Sequence, residues 1–182
     1  MEHISQELLN HAVMGLNLRG NTLRDELPVG QPTLMVFLRH FGCIFCREQI
    51  ADLRKITEAD PNYPPVMFVY QGSVEQGREF FGRLWPEARA IADTPKTFYN
   101  GFGVARGGMK EMFGPEVWAC GVKTFVTKGH FIGMKVGDPW TMPTSFLVDG
   151  DHVLWMYEGV HAGDHPEFER VPQLAGMVGQ FG

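Results

Sequence analysis

The chain has 182 residues, 44% of them hydrophobic and 20% charged, with a net charge of −5, which describes an ordinary globular protein long enough to bury a full core. No run of Lys or Arg stands out and no apolar stretch nears the length of a membrane helix, which argues against nucleic-acid and membrane partners. The opening residues MEHISQELLNHAVMG lack a basic segment followed by an apolar one, so no secretory signal is read and a cytoplasmic protein is expected.

Ile4, Leu8, Ala12 and Leu16 fall at helical spacing and predict an amphipathic N-terminal helix broken near Gly15. A loop with Pro28, Gly30 and Pro32 follows, so residues 1–32 read as helix and loop. TLMVFL, residues 33–38, is a short continuous apolar run of the kind buried on both faces of a sheet. Cys43 and Cys46 come next, and Cys46, Ile50, Leu53 and Ile56 continue at helical spacing between charged residues. PVMFVY, residues 65–70, is a second buried strand. Ser73 with Gln76 then forms a capping box that opens a helix ending at Pro86.

ARAIAD, residues 88–93, predicts a short third strand, and residues 94–140 read as an irregular insertion of short helices and glycine-rich loops. TSFLVDGDHVLWMYEG reads as a hairpin turning at Asp149-Gly150, and a last helix starts near Pro172. No repeat or linker divides the chain, so residues 1–182 are expected to form one α/β domain, a mixed sheet with helices on both faces.

Three cysteines do not make a disulfide framework, and a CxxC in a reducing compartment points to redox chemistry or metal binding. A cycling dithiol needs one exposed thiolate and a second thiol within reach. At a strand-to-helix junction Cys43 sits where unpaired N–H groups and the positive end of the helix dipole stabilise a thiolate. Arg39 and His40, just upstream, would add positive potential, and Cys46 falls on the inward face of the helix, where a resolving thiol belongs. Two inert packed cysteines are the plain alternative. A zinc site needs two further ligands, and the sequence holds no second CxxC and no HxxxH pair beside the first.

Cys120 lies among Val117, Trp118 and Ala119 and reads as a small buried hydrophobe. VARGGMK lacks a phosphate-loop pattern and reads as a loop, while HAGDHP, with His161 and His165, reads as a turn. Phe98, Tyr99 and Phe102 are expected to cover the sheet or to line a cleft beside the active site.

The strand–CxxC–helix element and MPTSFLVDGDHVLWMY resemble the thioredoxin fold, a three-layer α/β sandwich in which a cis proline faces the CxxC. Pro143 matches that proline, which implies a cis Met142–Pro143 bond and a substrate groove shaped by both residues. From about Thr33 onward the chain resembles the peroxiredoxin-like proteins of the alkyl hydroperoxide reductase/thiol-specific antioxidant superfamily. FLRHFGCIFCREQIADL, YNGFGVARG, GDPWTMPTSFLVD and HAGDHP carry that resemblance.

The departures bear on activity. The PxxxTxxC pattern of peroxiredoxins would place proline and threonine where Val36 and His40 stand, and their conserved arginine falls at Pro143, so Arg39 and Arg106 are the candidates to replace it. Against thioredoxin, Gly42 replaces the tryptophan, Ile44-Phe45 the Gly-Pro dipeptide, and Phe37 the buried aspartate, leaving His40 as the nearest group to relay a proton to Cys46. The reading is a thiol–disulfide oxidoreductase with Cys43 attacking and Cys46 resolving, without an organic cofactor or metal, acting on a thiol or disulfide substrate or a reductant protein. The first alternative is a thiol peroxidase using the same pair on hydroperoxide; the second is a non-catalytic zinc-binding or interaction module. Members of the superfamily often dimerise, although the sequence carries no stripe that marks a homodimer interface.

Overall fold

The computed structural model describes residues 2–107 and 136–178. Six strands form one mixed sheet: β1 (Gly15–Leu16), β2 (Thr33–Phe37), β3 (Val66–Tyr70), β4 (Arg89–Ala92), β5 (Thr144–Asp149) and β6 (His152–Glu158), in the spatial order β1-β4-β3-β2-β5-β6. The central strands β2 and β3 are apolar and buried along their whole length. They run parallel to each other and to β4, while β5 pairs antiparallel with β2 and β6 with β5. Parallel strands need crossovers, and α3 (Ile44–Ala59) and α4 (Val74–Leu84) supply them.

Because strand residues alternate between faces, β2 and β3 feed two cores. Leu34, Val36, Phe68 and Tyr70 face α3 and α4 and pack with Cys46, Ile50, Leu53, Phe80 and Phe81. Met35, Phe37, Met67 and Val69 face the other way, onto Leu8 and Leu9 of α1 (Gln6–Leu9), Leu23 of α2 (Leu23–Glu26) and Phe98 and Tyr99 of α5 (Thr97–Gly101). This is the three-layer thioredoxin-like sandwich that the sequence predicts. A one-turn 3-10 helix, Phe168–Arg170, leads into α6 (Val171–Val178) on the α3 side.

Local signals are met at several places. The Ser73–Gln76 capping box is formed in both directions, by Gln76 N to Ser73 Oγ at 3.3 Å and Ser73 N to Gln76 Oε1 at 2.8 Å. The hairpin turns with Gly150 at φ +59°, and the short strand in ARAIAD is β4.

The N-terminus departs from its periodicity. Ser5 caps a helix of only four residues, and the chain then pairs Ala12 with Thr22 and lays β1 against β4. Pairing with an otherwise open sheet edge overrides a weak local helix. At Gly15 a Cβ would stand 1.9 Å from the Ala90 carbonyl oxygen, so the close approach of β1 requires glycine. No helix among the described residues is long and apolar enough to cross a membrane. Cys120 and most of the predicted insertion lie outside the described residues.

Candidate active site

The CxxC stands where β2 leaves the sheet. Leu38 N continues the ladder to Val69 O at 2.9 Å, and the next turn closes with Cys43 N donating to His40 O at 3.0 Å. Cys43 is the N-cap of α3, extended at φ −76° and ψ 119°, with no side-chain capping bond of its own. The Cys46 thiol, one turn along the helix, and the N–H groups of the helix's first turn nonetheless favour the charged form of its sulfur. Both cysteines are free and buried, Cys43 only 4% exposed. A thiolate open to solvent was the expectation; Phe41, Phe45 and Arg39 are buried around this one instead.

Arg39 sets the electrostatics. Its guanidinium is buried and donates from Nη1 to Cys43 Sγ at 3.2 Å. The same group is held by three backbone carbonyls: Thr141 O to Nε at 2.8 Å, Pro139 O to Nη2 at 2.6 Å and Ala162 O to Nη1 at 3.2 Å. A cation out of water needs such acceptors, and the fork geometry of arginine allows it to use them together. Arg47 adds a second positive charge, held by Phe41 O at 3.2 Å and lying 5.3 Å from the Phe80 ring centre.

The two thiols are driven apart in acidity. Burial works to raise the pKa of Cys43, but the hydrogen bond from the Cys46 thiol, the charge of Arg39 and the backbone N–H groups of Cys46 and Phe45 outweigh it, bringing the value down to about 6. Cys46 moves well upward, because it gives its hydrogen bond to Cys43, is buried, and faces the negative charge on that sulfur. One sulfur is thus kept as an anion with the other as its proton donor.

The loop that presents the carbonyls is itself pinned. Gln71, just past β3, donates from Nε2 to Thr141 Oγ1 at 2.8 Å and accepts Asp138 N at 3.0 Å. Asp138 takes Lys96 Nζ at 2.9 Å, Arg106 Nε at 3.0 Å and Trp140 N at 2.9 Å. At Gly137, φ is +105° and a Cβ would fall 2.6 Å from Arg39 O, so only glycine fits the bridge to His40. Behind the site Asp93, just past β4, caps α5 through Thr97, Phe98 and Tyr99 N–H groups at 2.8–3.0 Å. The Tyr99 hydroxyl lies between the carbonyls of Leu38 and Val69.

Of the residues singled out in the sequence, Cys43, Cys46 and Arg39 come together directly. His40 contributes its backbone, through the Cys43 turn and the Gly137 bridge. Pro143 and Met142 are buried where β5 begins, beside the β2 exit, since Thr144 pairs with Phe37. The Met142–Pro143 bond is trans, not cis as the resemblance to thioredoxin implied. The chain runs into β5 there, fixed by Met142 N to Ala105 O at 3.0 Å and Gly159 N to Pro143 O at 2.8 Å. Arg106 is exposed and engaged with Asp138, so Arg39 is the arginine at the sulfur.

HAGDHP is a turn, closed by Asp164 N to His161 O at 3.0 Å, and it delivers the Ala162 carbonyl to Arg39. The roles of Gln71, Asp138 and Thr141 and of the carbonyls of Pro139 and Ala162 were not read from sequence. Carbonyl acceptors belong to every residue type and leave no signature. For Gln71 the available signal was a polar residue directly after a buried strand.

Comparison with known proteins gives the family and the fold. The family model of the AhpC/TSA antioxidant enzymes matches residues 50–161, beginning just after the CxxC. The thioredoxin-like protein AAED1, chloroplastic, of Arabidopsis thaliana is 23% identical over 167 residues, covering 86% of this chain and 67% of that protein. In fold, the chain is similar to a cysteine-to-serine mutant of PrxQ from Xylella fastidiosa, with a TM-score of 0.66 at 13% identity over 100% of this chain and 96% of that one. A thiol peroxidase from Chromobacterium violaceum superposes with a TM-score of 0.56 at 14% identity, covering 95% and 88% of the two chains. A secreted disulfide oxidoreductase of Mycobacterium tuberculosis gives 0.52 at 12% identity, covering 95% and 99%. With the family match spanning more than half of its length, the chain belongs to the AhpC/TSA family of antioxidant enzymes, oxidoreductases of the thioredoxin fold.

Proposed function

We propose that the protein is a thiol-dependent peroxidase in which Cys43 attacks a hydroperoxide and Cys46 resolves the product. The observation that carries this reading is the Arg39 guanidinium donating to Cys43 Sγ at 3.2 Å. A peroxide oxygen approaching that sulfur meets a fixed cation, which stabilises the negative charge developing on the leaving oxygen. Arg39 thereby supplies, from the β2 exit, the charge that peroxiredoxins place on the strand position occupied here by Pro143.

The steps balance without a cofactor. The Cys43 thiolate attacks the terminal oxygen of ROOH, the O–O bond breaks, an S–OH group forms, and the alkoxide leaves and takes a proton to give ROH. The Cys46 sulfur then attacks Cys43 Sγ, an S–S bond forms, and water departs. An external dithiol reduces the disulfide and is itself oxidised, restoring both thiols.

Thiol–disulfide exchange through the same couple, the first expectation from sequence, is the second reading, favoured by the opposed acidities of the two cysteines. Two observations rank it lower. Cys43 is 4% exposed, which admits a water-sized peroxide more readily than a protein disulfide. The backbone before Pro143, which would have to pair with a substrate chain, is already engaged: Thr141 N with Asp138 O, Thr141 O with Arg39 and Met142 N with Ala105 O.

The test is chemical trapping. Cys46→Ser protein treated with one equivalent of hydrogen peroxide is expected to carry a single added oxygen on Cys43, captured by a sulfenic-acid reagent and located by mass spectrometry. Wild-type protein should lose two hydrogens instead, as a Cys43–Cys46 disulfide. Absence of the adduct at Cys43 under these conditions rules the peroxidase reading out and leaves exchange.

A further inference from the structure

At the far end of the sheet from Cys43, a second group of side chains converges. Among the described residues, His3, Asp151 and His152 bring three potential ligand atoms within 4.8 Å of one another. The distance from the active site follows from register. β5 starts beside the CxxC end of β2, where Thr144 pairs with Phe37, and finishes beside Thr33, so the β5–β6 turn carrying Asp151 lies at the opposite edge.

The convergence is built by the backbone. His3 pairs with His152 across an antiparallel bridge flanked by Ile4 N to Asp151 O at 2.8 Å and Val153 N to Glu2 O at 2.9 Å. Those two bonds make His3 and His152 a non-hydrogen-bonded pair, the arrangement in which opposed side chains come closest. Their rings stand 4.4 Å apart between centres at an angle of 59°. Asp151 Oδ1 lies 3.4 Å from His152 Nε2. Buried neighbours do not explain the grouping, because the His152 and Asp151 side chains are 61% and 36% exposed.

We propose that His3, Asp151 and His152 bind a divalent transition-metal ion of the zinc class, with water completing the coordination. Two neutral imidazoles and one carboxylate are a donor set suited to zinc, and ligand atoms about 2.1 Å from a tetrahedral ion stand about 3.4 Å apart, a sub-ångström to ångström adjustment for side chains this exposed. The ion links the N-terminal segment to the start of β6, an outer strand of the sheet, and so fastens the chain's first residues. Binding only to the folded state raises stability in proportion to the logarithm of free zinc.

The experiment titrates Zn2+ into Cys43→Ser/Cys46→Ser/Cys120→Ser protein, which removes all three competing thiols, and follows binding by calorimetry and Tm by scanning. The expected result is one equivalent bound with a Tm that climbs with zinc, weakened at least about tenfold by either His3→Ala or His152→Ala and less by Asp151→Asn. In the wild-type background the double substitution His3→Ala/His152→Ala should remove one equivalent of zinc, whatever the cysteines bind. No saturable binding, or an affinity unmoved by the histidine substitutions, overturns the site. Neither result touches the chemistry of Cys43.

Discussion

Arg39 is a buried cation whose partners among the described residues include a sulfur and three peptide carbonyls, so its removal acts in two ways. Arg39→Ala takes the positive charge from Cys43 Sγ and strands carbonyls in the interior, a loss of roughly 3–5 kcal/mol of stability. In Arg39→Lys the charge persists but a compact ammonium cannot serve the same four acceptors. Alkylation of Cys43 by iodoacetamide, followed against pH, separates charge from folding. Wild-type protein should titrate near pH 6, and both variants upward of it, with Arg39→Ala shifted further toward the ordinary thiol value of about 8.5.

The same acidity has a consequence for stability. Cys43 is more acidic folded than unfolded, so its contribution is complete above about pH 8.5 and fades as pH falls through about 6. Cys46 shifts the other way, and above about pH 8.5 it opposes further gain, since only the unfolded chain then ionises that thiol. Urea midpoints of reduced protein should therefore rise between about pH 6 and about pH 8.5 relative to those of Cys43→Ser, and level off beyond.

At the scale of elements, the site is held where three parallel strands end. β2 delivers Arg39 and Cys43, β3 delivers Gln71 and β4 delivers Asp93, and the loop of residues 136–143 closes across them. Gly137 is the narrowest point of that closure. Gly137→Ala would force a Cβ to 2.6 Å from Arg39 O at a positive φ, costing roughly 1–3 kcal/mol and displacing the Pro139 and Thr141 carbonyls. Its alkylation midpoint should rise along with that of the Arg39 variants, although no charge has been removed. Tyr99→Phe tests the back of the site: with no hydroxyl between the Leu38 and Val69 carbonyls, thermal unfolding should reveal a loss of about 1–2 kcal/mol.

These elements also mark what the sequence made legible. The continuous apolar runs of β2 and β3, the periodic face of α3 and the Ser73 capping box are local patterns, and local physics decides them. The N-terminal periodicity of Ile4, Leu8, Ala12 and Leu16 misleads because an edge of the sheet, remote in sequence, recruits Gly15 and Leu16. The cysteine pair and the nearness of Arg39 were readable from spacing. The hold on Arg39 was not, since it uses carbonyls 102 and 123 residues away, and carbonyls have no residue identity.

For the whole molecule, the sheet carries two chemistries on opposite ends. The carboxyl ends of the parallel strands hold an acidic thiol against a fixed cation, and the β5–β6 turn with the N-terminal segment holds two imidazoles and a carboxylate. Open α/β sheets place reactive groups at the carboxyl ends of their strands because helix N-termini and loop N–H groups gather there. The arginine at Cys43 comes from the β2 exit and not from the strand position that the resemblance implied, which Pro143 occupies.

The central claim is that Arg39 and Cys43 act together on a peroxide bond, and one rate measures it. Fully reduced protein is mixed with hydrogen peroxide in stopped flow, with tryptophan fluorescence and thiol loss as readouts and Cys43→Ser as the blank. The expected second-order rate is at least about a hundredfold above that of a free thiolate of equal acidity, reduced about 10²–10³-fold by Arg39→Ala after correction for the thiolate present. A rate equal to that of an unassisted thiolate, unchanged in Arg39→Ala once ionisation is matched, would contradict the claim and leave the Cys43–Cys46 couple to thiol–disulfide exchange.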